Sequence, residues 1–252
     1  MFLIFISCVA VFALPQLLDH RRAHFRGGVD PVVAATVLML HMNGEDNGTT
    51  FIDATERHTP SRTNAVTKTG IKKFGSAGGY FAGNGYVTIP DSTDFVFGTG
   101  DLTIETWAYF IDVTGSQQIY SQATADGDHT ALSFWYSEAD YGTPSLAVDA
   151  WEGGRQAAFH AHWTASANTW YHIVLERHGS DCLIFVDGVA QTVTQVTPWG
   201  TLANVTRDIY IGKSGYDPSP NYFKGYMDEY RVVKGLAVWT ANFTPPTSEY
   251  LP

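Results

Sequence analysis

Residues Ala167–Ala190 read ANTWYHIVLERHGSDCLIFVDGVA, and few folds can hold such a run. It divides into two strands, Trp170–Arg177 and Cys182–Val186, joined by the turn His178-Gly179-Ser180-Asp181. Asp187-Gly188 follows, the dipeptide best able to take the positive φ angles of a two-residue hairpin. In the second strand Cys182, Ile184 and Val186 fall on one face, Leu183 and Phe185 on the other. Both faces are apolar, so this strand must be covered on both sides, as in a sandwich of two sheets.

The rest of the chain repeats the theme. From Ala34 onward short apolar stretches alternate with Gly, Asn and Asp at roughly even spacing, the pattern of a sandwich or barrel. The expected strands are Thr36–His41, Tyr80–Phe81, Tyr86–Ile89, Leu102–Phe110, Gln118–Gln122, Ala131–Tyr136, Ser145–Asp149, Ala157–His162, Val189–Val193, Ile209–Ile211 and Gly225–Val233, besides the two above. No amphipathic helical stripe of useful length appears. A single helical turn is expected near Leu236–Trp239. The tail FTPPTSEYLP is expected along a sheet edge, because Pro245, Pro246 and Pro252 lack the donor a central strand needs. With 24 Gly and 14% aromatics, the composition favours strands and turns over helices.

The formal net charge of −10 disfavours electrostatic binding of nucleic acid. Cys8 and Cys182 lie in an apolar N-terminal run and a core strand, so a stabilising disulfide between them is not expected. The N-terminus allows two readings. Phe2–Leu14 is nearly all apolar but short for a bilayer span, which takes about 20 residues. No Lys or Arg precedes it, whereas Arg21, Arg22 and Arg26 follow, an order that opposes export. Residues 1–33 therefore read either as a degenerate signal segment or as an extended arm that docks into a partner, ahead of one domain over residues 34–252.

Several blocks in order resemble the laminin G-like, concanavalin A-like lectin/glucanase jelly rolls, in the version common in bacteriophage virion proteins. LMLHMNGEDNGTTFIDAT at Leu38–Thr55 resembles the first strand and its loop. KFGSAGGYFAGNGYVTIPDSTDFVFGTGDLTIETWAYF at Lys73–Phe110, DIYIGKSG at Asp208–Gly215 and FKGYMDEYRVVKGLAVWTANFTPP at Phe223–Pro246 are similar to later blocks of that family, as is the run at Ala167–Ala190. The resemblance implies an all-β jelly-roll sandwich of two antiparallel sheets, and a module that binds more often than it cuts. In the family's "DE-x-R" phrase, matched by Asp228-Glu229, the acids pair with a neighbouring cation such as Arg231. Trp107 and Trp170, inside strands, are expected to fill the core.

Catalysis in such a fold needs two carboxylates sharing one concave face at two-residue spacing. Glu105 stands alone on its strand, and Asp228 and Glu229 are adjacent and should point to opposite faces. The chain is thus read as no enzyme. His160 and His162 should share a strand face without a third metal ligand. One structural calcium is the cofactor the resemblance implies, with Asp53 and Asp228 as candidate ligands. For glycan stacking the loop aromatics Tyr141, Trp151, Trp199, Tyr216 and Tyr222 are the candidates. The expected function is a lectin-like module on a virion surface (capsid decoration, fibre or tail), held to other virion proteins by its arm, contacting cell-surface glycans and forming a homo-oligomer. The alternative is a secreted bacterial carbohydrate-binding or adhesion protein.

Overall fold

The structure, a computed structural model, describes residues 29–216 and 220–251. The arm expected over residues 1–33 lies mostly outside them. Its described end forms a one-turn helix, α1 (Pro31–Ala35), started by Pro31 and by the Asp30 carboxylate, which accepts from Val32 N. No helix among the described residues is long and apolar enough to cross a membrane.

Sixteen strands follow. They are β1 (Thr36–Leu40), β2 (Ser61–Thr63), β3 (Val66–Lys68), β4 (Gly78–Ala82), β5 (Tyr86–Ile89), β6 (Leu102–Phe110), β7 (Ser116–Ala123) and β8 (His129–Ser137). The second half comprises β9 (Ser145–Glu152), β10 (Arg155–His162), β11 (Thr169–His178), β12 (Asp181–Val186), β13 (Val189–Ala190), β14 (Val193–Thr197), β15 (Ile209–Ile211) and β16 (Lys224–Lys234). The first sheet has the order β13-β12-β11-β6-β16-β4-β3, with β1 added against β16. The second runs β14-β10-β9-β8-β7-β15-β5-β2. Both have eight strands, and neighbours pair antiparallel. The chain is an all-β sandwich, as the sequence implied.

Alternation places the core between the sheets. Ile104, Phe110, Ile173, Leu175, Ile184 and Val232 meet Leu132, Phe134, Leu146, Val148, Phe159 and Ile209, all nearly or fully buried. The run that opened the sequence reading folds as expected. β11 and β12 pair from His178↔Asp181 to Ile173↔Val186, and Asp187 (φ 49°) with Gly188 (φ 75°) makes the tight turn into β13. Cys182, Ile184 and Val186 face the core. The other face of β12 is covered by the tail: Phe185 packs on Phe243, with ring centroids 5.5 Å apart.

That tail is the main departure from the sequence reading. Instead of following an edge, it crosses the outer face of the first sheet, where Trp239 and Phe243 stack at 3.8 Å and Tyr250 lies buried. The helical turn expected at Leu236–Trp239 is absent, because the N–H groups of Val238 and Trp239 donate to the Glu176 carboxylate instead of to helical carbonyls. The strand expected over Val189–Val193 divides into β13 in the first sheet and β14 in the second, since the chain changes layers there. β2 and β3 were not foreseen. They are polar and only three residues long, so no alternating stripe marks them.

Candidate functional site

The two outer faces of the sandwich differ in how they treat polar groups. On the first sheet Glu105 is fully buried beneath the tail. Arg231 Nε donates to it at 2.7 Å, Trp239 Nε1 at 3.0 Å and Tyr250 Oη at 2.9 Å, and His172 Nε2 stands 3.1 Å away. Desolvation alone would raise the Glu105 carboxyl, but the Arg231 charge and the hydrogen bonds from His172 and Trp239 outweigh it and hold the carboxyl well below the usual range. Arg231 thus pairs with Glu105, whereas Asp228 and Glu229, the acids of the family phrase, take other partners. Nor do Asp228 and Glu229 point to opposite faces. A bulge between Asp228 and Arg231, with Glu229 at φ 48°, breaks the alternation, and both carboxylates turn to the tail-covered side. Glu229 there meets His41 Nδ1 at 2.8 Å and the N–H of Tyr250 at 2.7 Å. Glu249 joins His41 and Glu229 within 4.8 Å, and Asn43 Nδ2 donates to its carboxylate. Trp107 is buried on this same outer face under Lys73 and Phe74, and Trp170 packs half-buried on Tyr109, so neither fills the inter-sheet core.

Neither calcium candidate has an oxygen free for a cation. Asp53 accepts from Met39 N, Thr55 N, Thr55 Oγ1 and His58 N, all between 2.7 and 3.0 Å. Asp228 accepts from the amides of Lys73, Phe74 and Glu229. These bonds tie both carboxylates into their loops, and a calcium ion, which takes several oxygens at about 2.3–2.6 Å, would have to compete with them.

The outer face of the second sheet has no tail over it. β8, β9 and β10 are consecutive hairpin strands, so their outward residues form a grid fixed by register. Asp149 stands opposite Ser133 and Ala158, and Ala147 opposite Trp135 and His160. The floor is made of small residues: Ala147, Ala158, Ser133 and Ser121. Around it stand larger groups. The loop after β8 folds back, tied by Trp135 Nε1 and Ser116 Oγ donating to Asp140, and lays Tyr141 on His160. The two rings stack at 4.1 Å with 14° between planes. Arg155 Nη2 reaches Asp149 Oδ2 at 3.3 Å, and Trp151, at the end of β9, is 39% exposed.

This face leaves polar atoms unsatisfied. His160 is 8% exposed, and neither its Nδ1 nor Asp149 Oδ1 meets any hydrogen-bond partner within the protein. Burial, with a smaller push from His162, lowers the His160 pKa and keeps the ring neutral. Burial raises that of Asp149 against the pull of Arg155. A buried acceptor without a donor costs about 1–3 kcal/mol, and here two lie on adjacent strands beside an aromatic stack; on the covered face Trp107 Nε1 and His172 Nδ1 are likewise without a partner.

The sequence candidates scatter around this face. Tyr141 is in the recess itself. Trp151 flanks it on the end of a strand, not in a loop. Tyr216 sits over Gly127, and Tyr222 stacks on Tyr86 at 6.3 Å beside Tyr210, both toward the β5–β15 end. Trp199 is elsewhere: it packs on core Phe159 and on Arg177, and its Nε1 donates to Asp181 O. His160 and His162 do share a face, their rings 5.2 Å apart, but Ser145 and Thr143 occupy His162 Nδ1. The sequence reading missed Asp149 and Arg155. Their signal, small residues alternating with polar ones on β9 and β10, becomes visible only once the strands are in register.

Two stacked antiparallel sheets with a recessed outer grid define a lectin-like jelly roll. The chain belongs to the concanavalin A-like lectin/glucanases superfamily, whose pattern it matches over residues 81–237, more than half its length. No curated protein sequence matches it. Among solved structures it is similar to domain 4 of AbnA, an extracellular arabinanase from Geobacillus stearothermophilus solved with arabinotriose. Identity there is 15%, the TM-score is 0.57, and 79% of this chain aligns with 92% of that one. Botulinum neurotoxin type C, whose cell entry depends on two ganglioside molecules, is 12% identical with a TM-score of 0.55. There 82% of this chain matches 49% of the neurotoxin chain, so this protein spans about half of it. At these identities the likeness shows the fold.

Proposed function

We propose that this protein is a non-catalytic, lectin-like module that binds glycan on the open face of its second sheet, in the recess bounded by Tyr141, Trp151, Asp149, Arg155 and His160. The observation that carries the reading is the pair of buried, unpartnered acceptors beside an aromatic stack. Sugars offer what such a place lacks, hydroxyl donors along one edge and apolar C–H faces for the rings. The arabinotriose complex of one structural neighbour and the ganglioside-dependent cell entry of another support the same reading. The carboxylates Glu105, Asp228 and Glu229 are buried on the other sheet, while at the recess Asp149 is paired with Arg155 and Asp140 is tied to Trp135 and Ser116. Hydrolysis of a glycosidic bond needs two about 5–10 Å apart with access to substrate.

For the biological setting, the block similarity to virion modules and the compositionally distinct residues 1–33 support a virion-surface protein, anchored to other virion proteins and oligomeric. A secreted adhesion protein is the second reading, favoured by the apolar run Phe2–Leu14. Mass spectrometry of the mature protein separates them, since export removes roughly the first 14–20 residues. The binding reading is tested on a glycan microarray. Wild type retains a defined subset of glycans, and Tyr141→Ala with Trp151→Ala loses it; a wild type that retains none overturns the reading.

A further inference from the structure

The polar groups of the recess also say what kind of glycan fits it. His160 Nδ1 and Asp149 Oδ1 lie on adjacent strands, two positions out of register: Asp149 is opposite Ala158, and His160 opposite Ala147. Such diagonal neighbours sit roughly 7 Å apart at the backbone, a span the hydroxyls of one sugar residue cover. His160 is more than nine-tenths buried under the Tyr141 ring stacked on it, while the Asp149 side chain keeps 26% of its surface exposed. Both unmet atoms are acceptors when the ring is neutral with its proton on Nε2, so the ligand must bring hydrogens.

Charge around the recess points the same way. The Tyr141 phenol feels two carboxylates, Asp149 and Asp140, against one guanidinium, Arg155. Arg155 is already committed to Asp149. The balance at the recess is therefore negative, on a chain whose net charge is −10. A carboxylate arriving with the ligand would sit beside Asp149 and Asp140 with the Arg155 guanidinium, already shared with Asp149, to offset it, the kind of like-charge juxtaposition by which binding sites reject wrong partners.

We infer that the recess selects neutral, hydroxyl-donating glycans and rejects their acidic, sialylated counterparts, with Asp149 and His160 as the two acceptors and Asp149 setting the discrimination. This inference rests on the glycan-binding reading above and narrows it to a chemical class.

The test uses the full chain against matched pairs of glycans, each neutral core beside the same core carrying sialic acid: lactose and sialyllactose, the asialo and sialylated forms of a ganglioside headgroup. Arabinotriose serves as an uncharged probe without a sialylated partner. Bound pairs should favour the neutral member at least tenfold. Asp149→Asn, which keeps one acceptor oxygen and removes the charge, should bring that ratio close to one. Arg155→Gln, which leaves Asp149 uncompensated, should widen it. His160→Ala should weaken neutral and acidic members alike, and melting curves confirm that each variant is folded. Equal or tighter binding of the sialylated members by wild type overturns this inference alone. So does a ratio unmoved in both Asp149→Asn and Arg155→Gln. Retention of no glycan at all removes the glycan-binding reading and this inference with it.

Discussion

The outer face of the first sheet and the outer face of the second start from the same sequence grammar, an apolar core position alternating with an outward one, and end as opposites. On the first, the tail brings Trp239, Phe243 and Tyr250 over Glu105, and every oxygen of that carboxylate finds a donor. On the second, Asp149 and His160 sit just as firmly in strands, yet each keeps an atom with no internal partner. Saturated polar groups stabilise; unsaturated ones cost stability and are retained for contact with something else. The contrast teaches that burial of charge alone does not locate a functional site in this fold. What sets the open face apart is that its unmet atoms belong to an acid and a histidine beside an aromatic stack, since Trp107 Nε1 and His172 Nδ1 are unmet on the covered face too.

This contrast can be broken in several ways, and the largest effect belongs to the covered face. Arg231→Ala leaves Glu105 as an uncompensated buried charge and should destabilise the protein by about 3–5 kcal/mol in urea unfolding. Glycan binding by the folded fraction should be unchanged. Loss of binding in parallel with modest unfolding would merge the two faces into one. On the open face, Tyr141→Ala should weaken glycan binding at least tenfold in titration calorimetry and cost less than about 1 kcal/mol of stability.

Proton linkage sharpens the comparison further. Burial pushes the Glu176 carboxyl up to about 9 from its ordinary 4.5. Its Oε2 lies 2.7 Å from Thr103 Oγ1, which is also 3.0 Å from Leu236 O, so a protonated Glu176 donates to Thr103 while Thr103 donates onward. Between about 4.5 and 9 the folded state holds a proton that the unfolded state has lost, so stability from this group falls as pH rises through that window. Glu176→Gln should flatten the slope, which is at most about 1.4 kcal/mol per pH unit. Urea midpoints across that window would check it, and an unchanged slope would show that Glu176 ionises normally. The smallest effect is at Asp149. Asp149→Asn relieves a desolvated charge and should leave the melting temperature within a few degrees of wild type, or slightly above it.

Much of the fold was legible because it follows from period-2 alternation and turn chemistry. Tyr86–Ile89, Leu102–Phe110 and Ile209–Ile211 occur with the bounds their patterns predict, and Asp187-Gly188 forms the turn its residues require. What escaped the sequence depended on contacts distant along the chain. The tail's position over β6 was hidden because its prolines explain only where it cannot go. The bulge at Glu229 was hidden because alternation assumes a regular strand. Of the proposed binding face, Tyr141 and Trp151 were visible as aromatics outside the core. Asp149 and Arg155 were not, because an acid and a base six residues apart mean little until a hairpin brings them together.

One detail of the β12–β13 turn reaches beyond the hairpin it closes. Gly188 accepts from Phe243 N and lies so near that a methyl group on its Cα would stand 2.0 Å from the Phe243 carbonyl oxygen. The hairpin and the tail are therefore specified together: any side chain at residue 188 evicts the strap, and with it the lid over Glu105. Fusions or tags appended to this protein should for the same reason leave the stretch through Tyr250 untouched, because it roofs β6, β11 and β12 and is not a dispensable extension.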